Sequence, residues 1–247
     1  MLNHATFRFH YELNDFLPSG KKNSSFVHSF GGSPSIKDII EAIGIPHVEV
    51  NFIRVNDRPV DFTYRLKTDD IVLVYPVTEI SDVLPLQRKI EKDEVKFILD
   101  VHLGKLAKYL RMCGFDTLYQ NDYDDRKIIE ISIEEKRIIL TRDIALLKVK
   151  SVSHGYFIRN QNSKNQLAEV LKRYDLYNDI IPFSRCMKCN GKLECIEKEA
   201  ILPELEPLTQ KYFNNFFRCT NCHSIYWEGS HFDRMSDFIN TIIDSSN

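Results

Sequence analysis

Two Cys-x-x-Cys pairs, Cys186/Cys189 and Cys219/Cys222, with 29 residues between them, constrain this chain more than any other feature. A two-residue spacer turns both sulfurs of a pair toward one point. Two pairs then supply the four soft ligands that a tetrahedral Zn²⁺ takes in a closed structural site. Asn190-Gly191 behind the first pair provides the tight turn such a knuckle needs. The rival readings are a pair of disulfides or a thiol-redox centre. Disulfide frameworks belong to secreted chains, and the start, MLNHATFRFHYEL, has no basic stretch followed by an apolar one, so no signal peptide is read. A module of about fifty residues buries too little core to fold unaided, so the ion is expected to be structural. His223 and His231 are read as bystanders and Cys113 as a plain core residue; Cys195 carries no signal.

The composition is that of a folded protein: 247 residues, 43% hydrophobic and 28% charged. A formal charge of −2 excludes a uniformly basic, nucleic-acid-coating surface. The longest apolar runs resemble Ile71–Val74, far short of the roughly 20 residues a membrane span needs, so the expected setting is the cytoplasm, with no membrane partner.

Residues 1–78 read as an α+β unit. Strand character runs through Ala5–Leu13 and Phe26–Phe30. A helix follows with Ser33-Pro34 or Ser35 at its start, Ile36, Ile39, Ile40 and Ile43 at helical spacing, and Gly44 at its end. Strands Val50–Val55 and Ile71–Tyr75 complete it, with a turn at Asn56-Asp57. Strand, strand, helix, strand, strand is the β-grasp, or ubiquitin-like, order. Residues 79–95 are polar and read as a linker. Residues 96–182 alternate strand and helix, which predicts a parallel α/β sheet. The cysteine module spans 183–235 and a tail 236–247.

In open parallel sheets, ligands bind beyond the carboxyl ends of the strands. Asp100 ends the strand Phe97–Leu99 and Asp143 follows Arg137–Thr141, while Asp122, Asp124 and Asp125 follow the strand between them. Acids gathered at one edge repel unless a cation neutralises them, and hard ions such as Mg²⁺ or Mn²⁺ take oxygen ligands of this kind. Such ions activate water and stabilise the leaving oxygen in phosphodiester cleavage. Any one Asp after a strand also serves as a helix cap or turn former; Asp124 or Asp125 is expected to be one. The chemical reading therefore rests on their coincidence.

Over residues 96–174 there are 15 Lys/Arg against 10 Asp/Glu. Lys105, Lys108 and Arg111 recur every three residues opposite the leucines of one helix, a stripe that can hold a phosphate backbone or simply face solvent. Arg142 and Arg159 are further phosphate candidates. Tyr226 and Trp227 can stack bases or serve as core of the cysteine module.

FILDVHLGKLAKYLRMCGF, DDRKIIEIS, RIILTRD, GYFIRN, FSRCMKCNGKL, FFRCTNC and YWEGSHFDRM together resemble the Mut-seven C-terminal RNase family, a branch of the PIN-like nucleases, across residues 96–235. ELNDFLP, IEAIGIPHVEV and VYPV resemble the ubiquitin-like domain that precedes this nuclease. The resemblance implies a PIN-like fold with a zinc ribbon and metal-dependent RNA cleavage. Its acidic positions fall on Asp100, on Asp124 or Asp125, and on Asp143; Asp122 and Glu130 are candidates for a fourth. His231 is a candidate for proton transfer.

The leading reading is a ribonuclease in which Asp100 and Asp143 hold Mg²⁺ or Mn²⁺, with Lys105, Lys108, Arg111, Arg142 and Arg159 on the RNA. The alternative is a non-catalytic RNA- or ribosome-binding adaptor on the same fold. The amino-terminal unit ends in Tyr75-Pro76-Val77 with no Gly-Gly, which argues against a sulfur carrier or protein modifier and for a docking surface toward a protein partner.

Overall fold

The computed structural model describes residues 2–76, 85–87 and 90–244. In chain order the elements are β1 (Asn3–Phe9), β2 (Phe26–Phe30), α1 (Ile36–Ile43), β3 (Val50–Val55), β4 (Arg58–Val60), β5 (Ile71–Pro76), β6 (Lys96–Leu99), α2 (Gly104–Met112) and β7 (Asp116–Leu118). They continue with α3 (Asp125–Glu134), β8 (Ile138–Thr141), α4 (Ile144–Leu147), β9 (Gly155–Phe157), α5 (Ser163–Tyr174), β10 (Leu193–Ile196), α6 (Pro207–Tyr212), β11 (Phe216–Cys219), β12 (Ile225–Trp227) and α7 (Ser230–Asp244). The chain packs as two units, one made of 1–91 with 125–157, the other of 92–124 with 158–247.

The first unit is built on a mixed sheet in the order β2-β1-β5-β3-β4, with β1 and β5 parallel. Strand periodicity turns Ala5, Phe7 and Phe9 of β1 inward, where α1 lays Ile36, Ile39 and Ile40 against them. The helix starts where Ser35 Oγ accepts the Asp38 amide at 3.2 Å and stops at Gly44, whose φ of 132° suits glycine alone. Asn56 and Asp57, with φ of 48° and 63°, form a left-handed hairpin turn between β3 and β4. This is the ubiquitin-like arrangement. The strand expected over Ala5–Leu13 stops at Phe9, because Tyr11 at φ 51° turns the chain into a 3₁₀ segment over Tyr11–Phe16.

The same unit includes α3, β8, α4 and β9, with β8 and β9 parallel. The ubiquitin-like sheet is bound to them by buried and part-buried polar contacts. Glu49 Oε1 accepts the Phe157 amide at 2.6 Å; His47 Nε2 lies 2.9 Å from the Val152 carbonyl and its Nδ1 2.6 Å from Glu41; Lys148 Nζ donates to the Glu41 carbonyl at 2.8 Å. The stretch read as a linker, 79–95, lies partly outside the described residues. Within it, Leu86 donates to Asn51 O at 2.8 Å, and Gln87 Nε2 donates to His47 O and Val50 O.

In the second unit β6 and β7 pair in parallel, joined by α2. β10, β11 and β12 form an antiparallel sheet over a small core of Ile201, Leu205 and Phe216. From α7, Phe232 packs on Phe183 at 4.3 Å and Phe238 on Tyr109 at 5.0 Å between ring centres. Among the described residues, no helix is long and apolar enough to cross a membrane.

Candidate functional site

β6 is buried through Phe97, Ile98 and Leu99, and its apolar run ends at Asp100, which is only 7% exposed. Asp100 takes the cap position of a 3₁₀ turn, Val101–Leu103, its Oδ1 accepting the His102 amide at 3.3 Å. The first residues of α2 follow directly, so Lys105 and Lys108 emerge on the same element and are exposed.

Asp143 follows β8 and caps α4. Its Oδ1 accepts the Ala145 amide at 2.7 Å, and its own amide donates to Thr141 Oγ1 at 2.8 Å. Its Oδ2 makes no hydrogen bond among the described residues, and both Asp143 and its neighbour Arg142 are exposed. Asp125 opens α3, in the first turn where an acid suits the helix dipole, with Asp124 just before it, and both are exposed. Glu130 pairs with Arg126 at 3.1 Å and Lys127 at 3.7 Å on the same helix. Arg159 is half-buried, its amide donating to Glu169 Oε1 at 2.8 Å.

Arg111 departs from the expected stripe. It is 4% exposed, and its guanidinium donates to four carbonyls: Thr117 (2.8 Å), Tyr119 (3.4 Å), Met187 (3.2 Å) and Lys188 (3.1 Å). A step of three residues falls short of a helical turn, so two such steps carry Arg111 about 120° around α2 from Lys105, onto the packed side. Burial draws its pKa below the ordinary arginine value, against the pull of Cys186 and Cys189.

The four cysteines of the two pairs come together, their sulfurs all within 4.8 Å of one another. Cys186 and Cys222 stand 3.6 Å apart, Cys189 and Cys219 3.4 Å, too far for disulfides and close to the roughly 3.8 Å edge of a tetrahedron with metal–sulfur bonds of about 2.3 Å. Two equivalent turns build the site. Asn190 (φ 71°) and His223 (φ 59°) follow the second cysteine of each pair in left-handed conformation, and the Asn221 and Cys222 amides point at Cys219 Sγ. Gly191 is required, since a Cβ there would lie 2.7 Å from Cys219 Sγ. The donor set and its N–H···S bonds fit a metal ion. Burial works to raise the Cys222 thiol, but hydrogen bonds with Ser224, Cys189 and Cys186 together outweigh it and bring the thiol down to about 6. Cys189 is pushed up to about 12, chiefly by burial.

Neither histidine joins the cluster; His223 and His231 are exposed, His231 in the first turn of α7. Tyr226 turns its hydroxyl to the cluster, 3.0 Å from Cys186 Sγ, and burial followed by that thiol raises its pKa. Trp227 is exposed. What sequence reasoning missed is the anchoring of the knuckle: Asn190 Oδ1 accepts the Thr117 amide (2.9 Å), its Nδ2 donates to Asp116 (2.8 Å), and Arg185 pairs with Asp116 (3.2 Å). Asn190 is legible in sequence only as a turn former; that it reaches 73 positions back is a tertiary fact.

Residues 95–239 match the family model of the Mut7-C RNAse domain, and residues 2–82 that of Mut7-C ubiquitin. No curated protein and no solved structure gives a significant match.

Proposed function

Because the chain belongs to the Mut7-C RNAse domain family, with the Mut7-C ubiquitin domain ahead of it, we propose that it is a metal-dependent ribonuclease of the PIN-like class. The observation that carries this reading is that a strand of each parallel pair runs into a carboxylate, β6 into Asp100 and β8 into Asp143. In this reading Asp100 and Asp143 hold Mg²⁺ or Mn²⁺ and Asp124 or Asp125 completes the set, carboxylate oxygens being the donors those ions take. The unengaged Oδ2 of Asp143 fits that role. A bound divalent ion supplies charge neutralisation and activation of water at the phosphodiester. Lys105 and Lys108, exposed on the helix that follows Asp100, hold the RNA backbone, and Arg142 and Arg159 add contacts.

The four-cysteine site takes structural Zn²⁺ in this account, and the protein works in the cytoplasm. The ubiquitin-like domain serves as a docking surface for a protein partner.

A second reading, an RNA- or ribosome-binding adaptor, draws on the fact that Asp100 and Asp143 both act as caps, a role that needs no chemistry. The test compares cleavage of labelled single-stranded and structured RNA with Mn²⁺, Mg²⁺ or EDTA by wild type, Asp100→Asn and Asp143→Asn. Asparagine caps as well as aspartate, so both variants stay folded. The nuclease reading expects metal-dependent cleavage that falls by on the order of 10²-fold or more in each. RNA binding without cleavage, unaltered in both variants, favours the adaptor.

A further inference from the structure

The cysteine knuckle and Asp100 belong to one packed unit, and a continuous set of hydrogen bonds runs between them. The carbonyls of Met187 and Lys188 are the two inside the first Cys-x-x-Cys pair, and both accept from Arg111 Nη1. The same guanidinium holds the carbonyls of Thr117 and Tyr119 at the end of β7. Asn190, next after Cys189, grips β7 a second time through Thr117 and Asp116. From there the Tyr119 hydroxyl reaches the carbonyl of Val101, the residue after Asp100, at 2.9 Å. That hydroxyl also lies 2.6 Å from Asn121 Oδ1, a second acceptor that shares its one proton with the Val101 carbonyl. Gly104 leaves the room for this: a Cβ there would sit 2.6 Å from the Tyr119 oxygen.

We propose that Arg111 and Tyr119 are positioning residues that couple occupancy of the four-cysteine site to the setting of Asp100. A metal ion fixes the knuckle, the knuckle fixes the Met187 and Lys188 carbonyls, and Arg111 relays that order to β7. Tyr119 then holds the 3₁₀ turn that Asp100 caps. Arg111 is buried and its donors are shared between knuckle and strand, so loosening one side loosens the other. The chemical importance of Asp100 rests on the ribonuclease reading; the coupling itself does not.

The test uses the full chain loaded with Zn²⁺, wild type beside Tyr119→Phe, before and after the ion is removed with a chelator. Hydrogen exchange is read at His102 and Leu103, whose amides donate to Asp100 Oδ1 (3.3 Å) and Asp100 O (2.9 Å). In the loaded state Tyr119→Phe is expected to exchange about fivefold faster than wild type at these two amides, the scale of one neutral hydrogen bond. The Cys113 amide at the end of α2 stays unchanged. Removing Zn²⁺ raises exchange in wild type by a similar factor and adds less than about twofold in Tyr119→Phe. Unchanged exchange in loaded Tyr119→Phe, or an equal rise in both proteins on chelation, overturns the proposal. Should chelation unfold the chain, loaded Arg111→Lys replaces that arm. It keeps the charge but loses the fork, and equal exchange to wild type at His102 overturns the relay. On RNA, Tyr119→Phe is expected to lower kcat and leave KM in place. Absence of cleavage by wild type would refute the ribonuclease reading while leaving the exchange result to stand or fall alone.

Discussion

Glu49 Oε1 accepts the Phe157 amide at 2.6 Å across 108 positions of sequence, from a side chain that is 0% exposed. The ubiquitin-like sheet therefore does not hang from the rest of its unit by a tether. A fully buried carboxylate at its edge closes the end of β9, and beside it His47 reaches the Val152 carbonyl.

Removing that carboxylate takes away the acceptor that Glu49 Oε1 offers the Phe157 amide. Glu49→Ala is expected to lower stability by about 1–3 kcal/mol, the scale of losing a hydrogen bond to a charged group. Glu49→Gln keeps a carbonyl oxygen in place and costs less. Chemical denaturation of the three proteins decides: equal loss in both variants would mean the charge, not the hydrogen bond, matters there.

Gly114 ends α2 at φ 96°, and an added Cβ would overlap the Ile181 carbonyl oxygen and lie 2.6 Å from Ser184 Oγ. The backbone there cannot give way easily, because Ile181 and Phe183 donate to the carbonyls of Cys113 and Met112. Gly114→Ala is expected to cost about 1–3 kcal/mol in strain. Gly20→Ala, with nothing within 4 Å of the new methyl, is the matched control and leaves the melting temperature unmoved.

The six cysteines divide by environment, which makes metal content countable. Cys195 is exposed, four thiols share the cluster, and Cys113 is buried with its pKa pushed up to about 12 by desolvation. A thiol reagent at pH 8 meets almost no thiolate at Cys113, on the order of one part in 10⁴. Zinc-loaded protein is expected to show one fast thiol, four more together with one released ion after chelation, and the last on unfolding. Five fast thiols without chelator would argue against a metal-held cluster.

Where local rules decide, the sequence reads well. Ser35 and Gly44 bracket α1 at Ile36–Ile43, Asn56-Asp57 turns β3 into β4, and the two cysteine pairs meet. Where a residue's role is set by a distant partner, it does not. Pro59 disguises β4, a three-residue edge strand, and the four-residue α4 is too short to show a period. Asp100 and Asp143 announce themselves as strand-end acids, but capping and metal holding place the same residue at the same position, so sequence alone leaves both open. Arg111 reads as a surface cation because spacing by threes mimics a face over one step and leaves it over two.

That difference within the apparent stripe can be measured. Lys105 and Lys108 are exposed, so replacing both by Glu is expected to leave the melting temperature in place and weaken RNA binding across sequences. On a single strand, the slope of log affinity against log salt should fall by about 0.7 for each phosphate that a lysine no longer neutralises. Arg111→Ala is expected to do the opposite. It removes a buried charge that satisfies four carbonyls, so it lowers the melting temperature and the retention of Zn²⁺, with a salt slope close to that of wild type among molecules still folded. A stable Arg111→Ala protein with the salt response of the lysine variant would return Arg111 to the RNA surface and sever the knuckle from β7.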